Sequence, residues 1–134
     1  MSYSIFLLRF VDGEPVALDT DRLLRVTEPY VVPDGRDEGF SGLRAQDGGE
    51  ADLYHVSGGE EGLRCVTATH FARGEISGLL ARLAVALGAA VLPQDGGALI
   101  FHEEERRHLP AALRDGAVVI APTAEAFQAA LEGC

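Results

Sequence analysis

His102, Glu103, Glu104, Glu105 and His108 form the one dense group of potential metal ligands in the chain. On a helix, Glu104 and His108 would stand four apart on the same face, close enough for a carboxylate and an imidazole to share a cation, with His102 as a further donor. His102, Glu104 and His108 are therefore the candidate metal ligands. The stretch does not match the zinc signature H-E-x-x-H. Its order, acids first and then Arg106 and Arg107, also describes the solvated start of an ordinary helix. No cofactor motif accompanies it, and no cofactor is expected.

Nucleophiles give weaker patterns. Gly39-Phe40-Ser41-Gly42 has a serine set among glycines as in the hydrolase elbow, but the final glycine falls one residue early and no strand-to-helix turn is expected there. It reads as a loop. Cys65 lies within an expected strand, where a cysteine usually behaves as a small inert hydrophobe; a reactive pair would need the fold to bring His55 or His70 to it. A turn near Gly59 would place His55 opposite about Arg64 and His70 toward the far end, so the two histidines should not share a ligand. Asp19 with Asp21 suits a helix cap, and Asp47, Glu50 and Asp52 suit a turn, with too few oxygens for a calcium loop. Gly48-Gly49, Gly58-Gly59 and Gly96-Gly97 all fall between strands, without the following helix that would cradle phosphate.

Bulk properties narrow the partners. The 134 residues suit a single α+β domain spanning 1–134, and 47% hydrophobic residues supply a core without disulfide staples. Twenty-one carboxylates against 11 cations give a formal charge of −10, which repels phosphate backbones and anionic lipid. Neither nucleic acid nor membrane is an expected partner; a protein with a basic surface is. All 11 cations are arginine and the chain has no lysine, asparagine or tryptophan, a bias that fits GC-rich codon usage better than any functional demand. Two cysteines do not make a disulfide framework, and the N-terminal apolar run is broken at Arg9 and Asp12, unlike a signal peptide. A cytoplasmic location is expected.

The elements follow from periodicity and punctuation. Tyr3–Phe10 is apolar on both faces and predicts a central strand. Asp12-Gly13-Glu14-Pro15 breaks it, and Asp19 can cap a helix running to about Arg25. Pro29–Gly42, rich in Pro, Gly and Asp, reads as a mobile loop with a turn at Pro33-Asp34-Gly35. Strands near 42–47, 51–57 and 63–70 should form an antiparallel meander. Ile76, Leu79, Leu80, Leu83 and Leu87 predict a helix over 75–87, capped by Gly88 and covering the sheet. A hairpin of 90–92 with 98–102, a short helix from Pro110, a strand at 117–120 and a terminal helix capped by Thr123 and stopped by Gly133 complete the chain. The expected architecture is a two-layer α+β sandwich, mostly antiparallel, with the long amphipathic helix packed on the sheet.

The opening Met1-Ser-Tyr-Ser-Ile-Phe-Leu-Leu8 and the apolar stretch Leu83–Leu92 resemble a loose group of small bacterial cytoplasmic proteins, some of which act as immunity partners of secreted toxins. That resemblance implies a non-enzymatic protein-binding or regulatory module. The competing expectation is a small metal- or ligand-binding enzyme built on the His102–His108 segment. A homodimer formed through an exposed sheet face is compatible with both.

Overall fold

The structure, a computed structural model, describes residues 3–132. Met1, Ser2, Gly133 and Cys134 lie outside the described residues, including the expected glycine stop of the last helix and the second cysteine.

The chain is α+β with a mostly antiparallel open sheet. Strand β1 (Ser4–Val11) turns into the short β2 (Glu14–Val16), and helix α1 (Thr20–Thr27) follows. Then come β3 (Val31–Asp37), β4 (Phe40–Arg44), β5 (Glu50–Tyr54) and β6 (Val66–Thr69). Helix α2 (Glu75–Leu87) leads to β7 (Ala90–Pro93) and β8 (Leu99–Ile100). A 3-10 turn at Glu103–His108, the short α3 (Ala111–Arg114), β9 (Val118–Val119) and α4 (Ala124–Glu132) end the described chain. The sheet runs β3-β4-β5-β6-β1-β7-β8-β9, with β2 off the path beside β1. Only the β8–β9 pair is parallel among these pairings.

The alternation of each strand divides its residues between two faces. Ile5 and Leu7 of β1, Leu43 of β4, Leu53 of β5, Val66 and Ala68 of β6, and Val91 of β7 share one buried cluster with Leu23, Ile76, Leu79, Leu80, Leu83 and Phe127 from the helices. On β6 the core side is thus that of Val66 and Ala68, with Thr67 and Thr69 on the other. At one end of the opposite face, Ala90 and Ile100 form a smaller cluster with Ala98, Leu109 and Ala117, and Phe10, Leu92 and Leu113 pack against it.

Helix α1 starts where Asp19 accepts a hydrogen bond from the backbone N–H of Arg22 at 3.0 Å. Helix α2 ends at Gly88, whose left-handed backbone (φ 65°) lets its N–H reach the carbonyls of Ala84 and Val85. In α4 the first-turn N–H of Ala126 bonds to the Thr123 hydroxyl at 3.2 Å.

Two expectations are corrected. The segment expected as a loop over 29–42 contains the edge strand β3 and the start of β4, with the register shifting between Val31 and Arg36. Pro33, Asp34 (φ 58°) and Gly35 make a bulge there instead of a chain reversal, the form in which an edge strand tolerates such residues. Likewise, Asp12-Gly13 does not merely end β1. Both residues have positive φ, 51° and 85°, the geometry of a tight two-residue hairpin turn, and β2 folds back on β1 with Arg9 opposite Val16.

Candidate functional site

The expected metal ligands sit on the 3-10 turn after β8. Three residues per turn put positions i and i+4 on different faces, so Glu104 and His108 lose the shared face that an α-helix would have given them. His102 and His108 do line one cleft of about 440 Å³, but the acid beside them is Glu105, not Glu104. One oxygen of Glu105 accepts the backbone N–H groups of Phe101 and His102, each at 2.8 Å. His108 Nδ1 receives the N–H of Asp12 at 3.2 Å. Among the described residues, no group of three or more His, Cys, Asp or Glu is placed to hold a metal ion.

Ser41, expected in a loop, is instead on β4 and fully buried. Its Oγ lies 2.8 Å from Nε2 of His55. Arg36 Nε donates to the same Oγ at 3.1 Å, which leaves the hydroxyl proton to serve a neutral imidazole. The guanidinium also bonds to the Thr27 hydroxyl, to the Leu24 carbonyl at 3.3 Å and to Glu28 Oε2 at 3.0 Å. Burial pushes the His55 pKa down, and the neighbouring Arg36 charge pushes it further. A serine beside a neutral histidine suggests nucleophilic catalysis, but such a dyad needs an accessible hydroxyl and a group that orients the base. Here the hydroxyl is sealed in and already accepts a bond from Arg36. What the network does physically is fasten α1 to β3 and β4 through one guanidinium.

The remaining sequence candidates stay apart. His70 (φ 52°) pairs with Asp52 at 3.0 Å on the exposed side of the sheet, away from His55. Cys65 is half-buried, and desolvation raises its thiol pKa, which favours the unreactive protonated form. Asp47 accepts the N–H groups of Gly49 (3.0 Å) and Glu75 (3.1 Å), and these bonds lower its pKa. Asp47 thus caps α2 from outside the helix.

One feature of the sheet depends on register and is displayed by no single segment of the sequence. Phe40 pairs with Tyr54, Tyr54 with Thr67, Thr67 with Phe6, and Phe6 with Leu92. Directly paired residues share a face, so these five form one row across β4, β5, β6, β1 and β7 on the side opposite the core residues of α1, α2 and α4, with the Leu92 end meeting the smaller cluster that includes Leu113 of α3. The Phe40 and Tyr54 rings stand 5.1 Å apart, and Tyr54 is 44% exposed. Acids border the row: Asp37 pairs with Phe40 at the edge strand, while Asp52 and Glu50 follow along β5. Arg44, bonded to Glu50 at 2.7 Å, supplies a cation.

No family model, no curated protein and no solved structure matches the chain. Among the described residues, no helix is long and apolar enough to cross a membrane.

Proposed function

We propose that the chain is a non-enzymatic protein-binding module that receives a partner with a basic surface on the open face of its sheet. In this reading the scaffold is two-layered: α1, α2 and α4 cover one face, and the part of the second face that the α3 segment leaves open is kept for docking. The row Phe40–Tyr54–Thr67–Phe6–Leu92 carries the proposal. Rigid aromatic side chains on neighbouring strands offer large contact area at low entropic cost, the composition that concentrates binding energy at interface centres. Asp37, Glu50 and Asp52 around it, together with the net charge of −10, favour a basic partner and would speed its approach. Masking of a toxin, as immunity partners do, is one task such a surface could perform.

The test is capture from lysate of the cells that carry the gene, using the native chain and a Tyr54→Asp variant side by side. A basic protein retained by the native chain, released by high salt and absent with the variant supports the proposal. No captured protein, or one held equally by the variant, overturns it. Light scattering of the free chain separates the competing occupant, since a homodimer broken by Tyr54→Asp would assign the same face to self-association.

A further inference from the structure

The cleft beneath the 3-10 turn departs from the acid excess of the molecule as a whole: one arginine and one glutamate line it. It lies between the end of β1, the last turn of α2 and the segment carrying His102 and His108, and its volume of about 440 Å³ falls in the range of small-molecule sites. Phe10, Val85 and Phe101 give it apolar walls. Arg9 stands at its rim beside Gly88, where an added Cβ would lie 3.6 Å from the Arg9 Nε. Among the described residues, Arg9 has no hydrogen-bond or carboxylate partner. That contrasts with Arg36, Arg44, Arg73 and Arg106, each paired with an acid. The one acid in the lining, Glu105, has an oxygen occupied by two backbone N–H groups.

We infer that this cleft binds a small organic monocarboxylate with an apolar body, its carboxylate held by the Arg9 guanidinium and its body laid against Phe10, Val85 and Phe101. The guanidinium fork fits a carboxylate or a phosphate equally well in shape. Charge decides between them: with Glu105 in the lining and a net charge of −10, a dianion meets more repulsion than a monoanion. The apolar walls favour a ligand with a hydrocarbon portion over a bare inorganic ion. This site is independent of the open sheet face.

Ligand-observed NMR titration with benzoate and 4-methylpentanoate, beside their amides and phenyl phosphate, tests the inference. Millimolar binding is expected for the carboxylates, as suits ligands of so few atoms, and binding at least about tenfold weaker for the amides. Arg9→Gln should lower carboxylate affinity by about the same factor while leaving the melting temperature unchanged, because the side chain is exposed. Val85→Asp, at another exposed position, should weaken carboxylate binding by adding a second acid to the lining. Tyr54→Asp should leave binding untouched. Equal binding of acid and amide, tighter binding of phenyl phosphate, indifference to Arg9→Gln, or no binding at all would each overturn it.

Discussion

At the scale of single residues, the buried Ser41–His55–Arg36 network makes the sharpest prediction. The folded pKa of His55 is depressed, while in the unfolded chain it returns to about 6.5. Between those values the unfolded chain binds a proton that the native one refuses, so stability rises with pH across the window. The contribution is complete above about 6.5 and is lost as the solution is acidified toward the folded value. Urea midpoints between pH 7.5 and 5 should fall for the native chain and fall less for His55→Gln; parallel curves would show that His55 does not titrate this way. Ser41→Ala should cost roughly 1–3 kcal/mol in urea unfolding, since it strands a buried imidazole nitrogen and an Arg36 N–H without a partner. The residues of this network were visible in the sequence, but their contact was not. Centring the β4–β5 turn on 47–50 pairs Ser41 with the wrong parity, whereas the actual register sets Ser41 opposite Leu53 and brings His55 to the same face. A slip of one residue reverses which side chains face each other, and composition alone does not fix it.

At the scale of elements, α2 was legible because its leucine spacing and its glycine stop agree with the tertiary environment: Leu79, Leu80 and Leu83 are all buried. Leu83→Ala should therefore cost about 2–5 kcal/mol by calorimetry or urea unfolding, the range for emptying a well-packed leucine site. The start of α2 was less legible, because its cap comes from a distant turn. Asp47 accepts the Glu75 N–H, and Glu75 in return accepts the Gln46 N–H at 3.0 Å. Gly74 makes the approach possible. Its φ of 91° is poorly suited to other residues, and a Cβ there would fall 2.5 Å from Asp47 Oδ2. Gly74→Ala should lower stability by more than ~1 kcal/mol, and a urea midpoint equal to that of the native chain would refute this account of the cap. The edge strand β3 escaped the sequence reading for a related reason. Its proline, aspartate and glycine have low strand propensity, and pairing with β4 on one side overrides that preference once a bulge absorbs them. The open-face row escaped because it joins five strands, each contributing one residue, so no single segment displays it.

For the molecule as a whole, charge is the property with the widest consequences. Twenty-one carboxylates share the chain with 11 arginines, and among the described residues four carboxylates lie in contact with an arginine. Exposed pairs of this kind contribute about 0–1 kcal/mol each, so their screening by salt removes little. Repulsion among the remaining acids acts over the whole surface and is screened together as the Debye length falls to about 8 Å near physiological salt. The melting temperature at pH 7.5 should therefore rise as sodium chloride is added from low ionic strength, and a fall would show that the ion pairs outweigh the repulsion. The rise should shrink near pH 4.7, the sequence pI, where the net charge is close to zero. Because salt series are compared at fixed pH, the His55 titration does not confound the result. A complex with a basic partner must respond in the opposite direction, since the same ions that relieve self-repulsion also screen the attraction between partners. Opposite salt dependences of folding and of capture, measured on the same preparation, would tie the acid excess to docking; capture that strengthens with salt would instead mark the aromatic row as acting alone.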